Sequence, residues 1–559
     1  MIIGQPDADP GGTDTSDALP DGRAEARRAT KRPPLRLRWA MPTALASGLL
    51  LAAAFPPVGV WPLAAVGPAL LVLALSGRSM RAAFAVGLTS GLGFFLPLLS
   101  WVMNLAWFAW AALAIASALI FAVFTLAQRL LLNLRYWPLA VAGWWVAAEA
   151  FRDRWPWGGF PWGRLAMSQA GLPTQGWAAI GGPPVLSFMV ALTGTTLAWV
   201  LLAALTGRRA GRSRRTAIAA AAFAATAGIS CLPAALPLDP VPANAKTAVV
   251  SAIQGNVPRA RSLEAQLDDL QVTLNHEIAT EKLAAKVAAG TLPQPDLVVW
   301  PENSTSIDPT QYPPIYQEIS DAASAIGRPI LVGAVLQDPQ RNAAVLWLPG
   351  KGPTTLYVKR RLVPFGEYIP FRSLFSKITS LTQLQPNDFV PGDKTVVFGV
   401  GQIRLGDIIC YEVAFDDLVR SEVNAGSNLL ALQSNDATYE REGEITAESG
   451  QQLAMARIRA VEFDRAVVLA STTGYSAIIA PDGHLITSSG TWQQTELEAR
   501  VPLLTYTTLG DRLGAWPEWA IVVATSLTLC LAAAQAGAAR RRQRRPRSGD
   551  SPADAAEGR

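Results

Sequence analysis

Apolar segments separated by short polar stretches fill most of residues 38–238, and one more apolar segment lies near the end of the chain. A helix of about 18 residues or more can cross the roughly 30 Å hydrocarbon layer of a bilayer. We therefore predict a polytopic α-helical membrane domain with eight spans. The predicted spans cover residues 39–56, 59–77, 82–103, 106–132, 137–151, 183–206, 216–236 and 517–538.

A different pattern occupies residues 245–512, between the seventh and eighth predicted spans. Short runs rich in β-branched residues, which are typical of strands, alternate there with longer helical stretches. The predicted strands include 247–253, 296–300, 329–335, 354–358 and 466–470, and the predicted helices include 262–289 and 444–464. This alternation predicts an α/β domain of roughly 270 residues, which is large enough to form its own core.

The composition agrees with a membrane protein, since the mean hydropathy is +0.23 and only 16% of the residues are charged, against about a quarter in soluble proteins. Arginine and lysine cluster in alternate gaps between the apolar segments and in both tails. By the positive-inside rule, both termini lie in the cytoplasm and the α/β domain lies on the extracytoplasmic side. The net charge of +5 fits this topology better than it fits nucleic-acid binding.

These patterns divide the chain into five parts. Residues 1–37 are polar and form a disordered cytoplasmic tail, and residues 38–238 form the membrane domain with spans one to seven. Residues 245–512 form the extracytoplasmic domain, residues 515–538 hold the eighth span, and residues 539–559 form a basic cytoplasmic tail. The predicted location is the cytoplasmic (inner) membrane, crossed several times.

One loop on the predicted outer side, residues 152–182, carries arginines although it lies outside. Trp155, Trp157 and Trp162 lie close together in it, with glycines and a proline between them. Amphipathic rings of this kind settle at the headgroup level of a bilayer. The loop is therefore either part of an aromatic belt or a contact for a headgroup or substrate.

Cys410 follows a short β-branched run, where a predicted buried strand gives way to a loop. The other two cysteines, Cys231 and Cys530, lie in apolar segments, so Cys410 has no disulfide partner in its own domain. It is either a buried structural thiol or a reactive one. Neither histidine, His276 in a polar helix or His484 in a turn, stands in a setting that suggests a base for the thiol.

Other groups can activate the thiol. Glu302 stands one proline after a predicted strand, Lys359 ends another, and Glu367 follows eight residues later. Groups at one end of several strands converge in an α/β sheet, so Glu302 as base, Cys410 as nucleophile and Lys359 beside the oxyanion make a workable acyl-transfer site. Taken singly, Glu302, Lys359 and Glu367 are each more typical of surface or salt-bridged residues than of catalytic ones. We see no metal-ligand cluster in the sequence.

Three motifs resemble those of the nitrilase (carbon-nitrogen hydrolase) superfamily. They are Trp-Pro-Glu-Asn at 300–303, Tyr-Val-Lys-Arg-Arg-Leu-Val-Pro-Phe-Gly-Glu-Tyr-Ile-Pro at 357–370 and Ile-Cys-Tyr-Glu at 409–412. In this form they are most similar to the bacterial apolipoprotein N-acyltransferase family, whose members join eight spans to an extracytoplasmic nitrilase-like domain. The likeness covers nearly the whole chain after the N-terminal tail. Supporting matches are Gln254-Gly255-Asn256, Ser434-Asn435-Asp436 and Met455-Ala456-Arg457.

The resemblance implies an αββα sandwich with Glu302 as general base, Lys359 as transition-state stabiliser and Cys410 as nucleophile. Glu367 is implied as an auxiliary carboxylate, and Tyr411 and Glu412 as residues that shape the nucleophile loop. It further implies transfer of a fatty acyl chain from a membrane phospholipid, through a cysteine thioester, to the N-terminal α-amine of S-diacylglyceryl-cysteine in apolipoproteins. It implies no cofactor.

Two stretches depart from the family pattern. The family usually has an aromatic-glycine pair such as Trp-Phe-Gly after Ser434-Asn435-Asp436, where this chain has Ala-Thr-Tyr at 437–439. The family also has a different stretch in place of Ser449-Gly450-Gln451-Gln452. We expect these changes to affect substrate fit more than the triad.

Residues 371–384 carry apolar side chains at spacings of three and four, which gives one apolar stripe on a helix. The stripe either packs on the domain or forms a lid on the bilayer surface beside the active site. Its members are Phe371, Leu374, Phe375, Ile378, Leu381 and Leu384.

Two other functions fit parts of the pattern. A membrane-tethered nitrilase relative that hydrolyses an amide would carry the same triad, although eight spans exceed what a tether requires. A transporter or non-enzymatic scaffold would need ionisable residues in its membrane domain, and Glu149 is the one clear candidate.

Overall fold

The computed structural model describes residues 33–206, 209–236, 241–258, 265–378, 387–443 and 447–544. All eight apolar segments of the sequence are helical in it. These helices are α1 (Leu37–Ala53), α2 (Leu63–Leu75), α3 (Met80–Leu98), α4 (Trp107–Leu131), α5 (Trp137–Arg152), α6 (Trp177–Thr206), α7 (Arg209–Cys231) and α14 (Trp516–Arg544). The predicted tail 1–37 lies almost wholly outside the described residues, and so does most of the basic tail 539–559.

Length separates these helices into two groups. Five helical segments in the described part of the chain, within α3, α4, α6, α7 with the turn after it, and α14, are long and apolar enough to cross a membrane. The other three are shorter, and α2, with 13 residues, spans only about 20 Å. By length and composition, then, five helices qualify as spans, and the predicted number of eight is not established.

Small residues allow the membrane helices to pack closely. A Cβ atom added to Gly48 of α1 would lie 2.1 Å from the carbonyl oxygen of Ser90 in α3. At the same crossing, the hydroxyl of Ser90 donates to that of Ser47 over 3.2 Å. Close backbone approach and hydrogen bonds across helices stabilise packing where lipid removes the hydrophobic advantage of burial.

The α/β domain contains two six-stranded sheets, with the orders β12-β1-β2-β3-β4-β5 and β11-β10-β9-β8-β7-β6. The five strands predicted from β-branched runs are present as β1, β2, β3, β5 and β9, with ends shifted by one or two residues. The strands are β1 (Thr247–Gln254), β2 (Leu297–Val299), β3 (Ile330–Leu336), β4 (Arg341–Leu348), β5 (Gly352–Val358), β6 (Val397–Val400), β7 (Ile403–Ile409), β8 (Leu429–Ser434), β9 (Val467–Ser471), β10 (Ala477–Ile479), β11 (Leu485–Ser488) and β12 (Thr495–Pro502).

Helices cover the outer faces of the two sheets. The remaining helices are α8 (Ala265–Ala288), α9 (Pro313–Ile326), α10 (Arg372–Ile378), α11 (Asp416–Asn424), α12 (Glu448–Phe463) and α13 (Leu509–Leu513). Apolar side chains of both sheets, such as Val250 and Leu405, form one core between them. A second core lies between the first sheet and α8 and α9. The layers are therefore helix, sheet, sheet and helix.

The outer helix layer of the second sheet packs on the membrane domain. Ile458 of α12 and Leu418 of α11 belong to the same buried apolar cluster as Phe94 of α3 and Leu186 of α6. The two domains thus share one continuous core, and the α/β domain is not attached by its chain connections alone.

A buried charge cluster reinforces this contact. Arg164, in the membrane-domain loop, donates from Nη1 to both carboxylate oxygens of Asp416 at the start of α11, over 2.8 and 2.9 Å. Arg459 of α12 contacts the same carboxylate over 2.7 Å and donates to the carbonyl oxygens of Val413 and Ala414 over 2.8 and 3.0 Å. One carboxylate therefore joins guanidinium groups from both domains.

We predict that Asp416→Ala lowers the free energy of unfolding by about 3 kcal/mol or more, because it leaves two buried guanidinium groups short of a counter-charge. Thermal unfolding of the full chain in detergent measures this change. The control is Asp417→Ala, since Asp417 pairs with Arg361 over 3.0 Å at an exposed position. Loss of such a pair costs about 1 kcal/mol or less. Equal effects of the two substitutions would contradict the prediction.

Candidate active site

Glu302, Lys359 and Cys410 follow β2, β5 and β7 directly or within a few residues. Strands β2 and β3 are parallel, and β4 is antiparallel to both β3 and β5, so β2 and β5 end at the same edge of the first sheet. In the second sheet β7 and β8 are parallel. The two edges lie together, which places three side chains far apart in sequence at one site.

The ammonium group of Lys359 lies between two carboxylates. Its Nζ is 2.8 Å from Oε1 of Glu302 and 3.0 Å from Oε1 of Glu367, and its side chain is only 1% exposed. Burial disfavours the charge on Lys359, but Glu302 and Glu367 outweigh burial and raise the pKa of the ammonium well above its usual range. Lys359 is therefore a fixed positive charge inside the site.

Asn342 completes this cluster, and we did not single it out in the sequence. Its Nδ2 donates to Oε1 of Glu302 over 2.7 Å and to Oε1 of Glu367 over 2.8 Å. The other oxygen of Glu302 accepts the backbone N–H of Asn435 over 3.0 Å. Glu302 thus receives three hydrogen bonds and has capacity for one more proton donor. Asn342 lies near the start of β4, and only the antiparallel pairing with β3 and β5 brings it to this edge.

Cys410 is held in an unusual backbone conformation at the start of a 3₁₀ turn that extends to Ala414. Its φ is 51°, in the left-handed region that costs a non-glycine residue about 1 kcal/mol or more. Its side chain is buried, and burial raises the pKa of the thiol; the charge of Glu302 raises it further, while Lys359 lowers it. Both ionic groups are therefore close enough to affect the sulfur.

Glu412 ties the nucleophile turn to the lysine loop. Its carboxylate accepts the backbone N–H groups of Ile409, Arg360 and Arg361 over 2.9, 2.6 and 3.0 Å. The hydroxyl of Tyr357, at the end of β5, donates to both of its oxygens over 2.9 and 3.0 Å. This one buried side chain fixes the residues that precede Cys410 and follow Lys359.

Tyr411 connects the nucleophile turn to the membrane domain. Its hydroxyl donates to the carbonyl oxygen of Gly159 over 2.8 Å, and its ring stacks on those of Phe160 and Trp162 at centroid distances of 6.4 Å. Gly159 has φ of +92°, and a Cβ atom there would lie 2.1 Å from the backbone of Asp153. The loop therefore requires glycine at this position.

The loop 152–182 also docks the α/β domain on the membrane domain. Neither interpretation of the sequence included this role. Trp155 and Trp157 are 56% and 44% exposed, as an aromatic belt requires, whereas Trp162 is buried and donates to Oε1 of Gln451 over 2.5 Å. Trp157 also lines a cavity of about 360 Å³ together with Gly158, Arg360, Arg361, Tyr368, Phe389 and Tyr411. The cavity opens next to the nucleophile turn.

The structure bears only in part on two further hypotheses from the sequence, the lid at 371–384 and Glu149 as an ionisable residue of the membrane domain. Of the predicted lid, α10 covers Arg372–Ile378 and Phe371 is 66% exposed, whereas Leu381 and Leu384 lie outside the described residues. Glu149 accepts hydrogen bonds from the indole N–H of Trp145 and the backbone N–H of Leu165 over 3.0 and 2.9 Å, so it stabilises the membrane-domain loop.

In the described part of the chain, no group of three His, Cys, Asp or Glu residues can hold a metal ion.

Known proteins share both halves of this architecture. Residues 47–196 match the family model "Apolipoprotein N-acyltransferase N-terminal domain", and residues 249–511 match "Carbon-nitrogen hydrolase". The apolipoprotein N-acyltransferase of Mycolicibacterium smegmatis is 38% identical over 507 residues, which cover 88% of this chain and 84% of the relative. That of Azotobacter vinelandii is 30% identical over 508 residues, covering 85% and 91%. A mutant amidase from Nesterenkonia sp. AN1 aligns with 49% of this chain and 96% of its own, at 20% identity and a TM-score of 0.34.

Fold and site together define a membrane-bound acyltransferase with a carbon-nitrogen hydrolase domain. The identity to full-length relatives is high enough to go further, and the chain belongs to the apolipoprotein N-acyltransferase family. The resemblance found in the sequence motifs is thereby confirmed.

We predict that Asn342→Leu lowers the acyl-transfer rate at least about tenfold, because the two carboxylates around Lys359 lose the hydrogen bonds that orient them. Initial rates of the purified full chain, with substrate in excess, measure this loss. Asn275→Leu serves as the control, since the Asn275 side chain donates to the carbonyl oxygen of Asn256 over 3.4 Å and accepts from Gln271 over 2.9 Å, away from the cluster. An unchanged rate in the Asn342 variant would show that the orientation of the carboxylates is not limiting.

Proposed function

We propose that this protein transfers a fatty acyl chain from a membrane phospholipid to the N-terminal α-amine of S-diacylglyceryl-cysteine in apolipoproteins, by way of a thioester on Cys410. The observation that carries the proposal is the buried Glu302–Lys359 pair beside a buried cysteine on a domain whose core continues into membrane helices. Family membership supports the lipoprotein as acceptor and a lipid as donor.

In the first half-reaction, Glu302 accepts the thiol proton while the sulfur of Cys410 attacks the ester carbonyl of the phospholipid. Lys359 provides the positive charge that stabilises the oxyanion. Collapse of the tetrahedral intermediate breaks the ester bond, and the leaving alkoxide takes the proton from Glu302. The products are an acyl thioester and a lysophospholipid.

In the second half-reaction, the neutral α-amine of the lipoprotein attacks the thioester carbonyl and gives a proton to Glu302. Collapse breaks the carbon–sulfur bond, forms the amide and returns the proton to the thiolate. The side chain of Cys410 is buried, with 6% of the residue exposed, so bulk water has little access to the thioester. This burial favours transfer to an amine over the hydrolysis expected of an amidase.

The position of the site suits a lipid donor. An acyl chain leaves a bilayer only at a cost of about 0.8 kcal/mol per exposed CH₂ group, so the nucleophile must be held at the membrane surface. Tyr411 is bonded to the membrane-domain loop, and the neighbouring cavity combines aromatic rings with Arg360 and Arg361. We assign this cavity to the polar end of the donor, with Trp157 at the headgroup level.

The predicted topology belongs to the same proposal. The basic residues between alternate apolar segments support a topology in which both termini and the short polar loop at 133–136 lie in the cytoplasm, with eight spans and the α/β domain outside. The three shorter helices then cross with the help of flanking residues or by local thinning of the bilayer.

The nucleophile can be tested by mass spectrometry. When the purified full chain is mixed with phospholipid, we expect an added acyl mass on the peptide that contains Cys410. Cys410→Ala should abolish this adduct completely, because no other group supplies the attacking sulfur. Cys530→Ala, which removes an exposed cysteine in α14, should leave it unchanged. An adduct that survives in the Cys410 variant would refute the assignment.

The topology can be tested by labelling of intact cells with a membrane-impermeant maleimide, in a background in which Cys231, Cys410 and Cys530 are all replaced. We expect Lys351→Cys, at an exposed turn of the α/β domain, to be labelled without permeabilisation. Asn133→Cys, in the predicted cytoplasmic loop, should be labelled only after the cells are permeabilised. The reverse pattern would place the catalytic domain inside the cell.

A further inference from the structure

The two stretches that depart from the family pattern meet beside the nucleophile. Glu440 follows the Ala-Thr-Tyr stretch, and its Oε1 accepts both the backbone N–H and the hydroxyl of Ser449, over 2.9 and 2.7 Å. Ser449 lies in the first turn of α12, one residue after Glu448. The residue that follows one departing stretch therefore holds the first residue of the other in place.

Gln452, on the next turn of α12, reaches the sulfur. Its Nε2 is 3.4 Å from Sγ of Cys410 and 2.6 Å from Oε1 of Glu448. The residue is only 2% exposed, so its amide bonds to these two acceptors and not to bulk water. The two N–H bonds of one amide group thus face the nucleophile and a buried carboxyl group. The sequence predicts that this stretch affects substrate fit more than the triad, and the structure shows in addition that Gln452 contacts the sulfur directly.

We propose that Gln452 is a further catalytic residue, whose amide donates a hydrogen bond to the sulfur of Cys410 and stabilises the thiolate, with Glu448 as the residue that positions the amide. The inference rests on the proposed role of Cys410 as nucleophile. The thiolate forms when Glu302 takes the proton and forms again when the amine expels the sulfur from the thioester. A donor fixed at the sulfur therefore assists both half-reactions.

The surroundings of the sulfur give this hydrogen bond its importance. Burial raises the pKa of the Cys410 thiol; the charges of Glu302 after β2, Glu448 of α12 and Asp436 after β8 raise this pKa further, whereas the charge of Lys359 lowers it. Burial and then the charge of Asp436 raise the pKa of Glu448, which favours its neutral form. A neutral Glu448 accepts the second N–H of Gln452 without adding negative charge beside the sulfur.

The reactivity of the thiol tests the inference without any acyl substrate. The rate at which iodoacetamide alkylates Cys410 is measured in the detergent-purified full chain across a range of pH, by mass spectrometry of the peptide that contains it. Gln452→Met keeps most of the side-chain volume but has no donor. We expect its alkylation rate at neutral pH to fall by about tenfold, and its pH profile to shift upward, since a hydrogen bond to a charged group is worth about that much.

Two further variants complete the experiment. Gln452→Asn keeps an amide in the polar cluster, so folding is preserved, but it is one methylene too short to reach the sulfur and should also slow alkylation. Gln451→Met is the matched control, because Gln451 lies on the same turn, is equally buried and bonds to the membrane domain instead. It should react like the unaltered protein.

A wild-type rate and pH profile in either folded Gln452 variant would overturn the inference, as would equal slowing by Gln451→Met. Failure of the proposed acyl transfer would give a different result from failure of the Gln452 inference. In that case no thioester forms on the unaltered chain, while the alkylation rates still report whether Gln452 bonds to the sulfur.

Discussion

The carboxylate of Asp416 is the contact on which the arrangement of the two domains and the active site depends. It neutralises Arg164 from the membrane-domain loop and Arg459 from the catalytic domain, and all three lie in the shared interface. Arg459 also bonds to the carbonyl oxygens of Val413 and Ala414, in the turn that begins with Cys410. Arg164 also contacts Asp153 over 3.4 Å and Arg459 also contacts Glu462 over 2.5 Å, but loss of the shared carboxylate would still leave two buried guanidinium groups with less counter-charge. The docking of the domain and the shape of the nucleophile turn are therefore one structural feature.

The active site follows the same physical constraint. Lys359 is almost fully buried, which is tolerable only because two carboxylates contact its ammonium group. Burial also suits the proposed reaction, in which water would compete with the lipoprotein amine for the thioester. The cluster therefore combines a permanent cation, a carboxylate with room for one proton and a strained cysteine. Glu412 holds the loops that carry the cation and the cysteine by their backbone N–H groups.

The membrane domain takes part in the site as well as holding it at the bilayer. Its loop 152–182 contributes the carbonyl oxygen of Gly159 to Tyr411 and rings that stack on the same residue. Helix α12 contributes Gln452, whose amide is 3.4 Å from the sulfur of Cys410. The nucleophile turn thus contacts both a membrane-domain loop and a helix whose beginning differs from the family pattern. The bond from Ser449 to Glu440 connects the helix start at 449–452 with the residue that follows the loop at 437–439, so the two departures from the family pattern are neighbours in the structure.

The sequence by itself determined the apolar helices and several strands of this protein, and it identified candidate site residues at the ends of some of those strands. Hydropathy located every apolar helix, β-branched runs located five of the strands, and the motifs named Glu302, Lys359 and Cys410, because each of these signals is local. Local patterns could not show Asn342, Gln452 or the bond from Tyr411 to Gly159, since those contacts join residues that are 25 to 252 positions apart. Nor could hydropathy show that three of the apolar segments form helices shorter than a bilayer. Only the pairing of the strands and the packing of α12 between the second sheet and the membrane helices decided these features, because backbone hydrogen bonds and the burial of charge fix them in three dimensions.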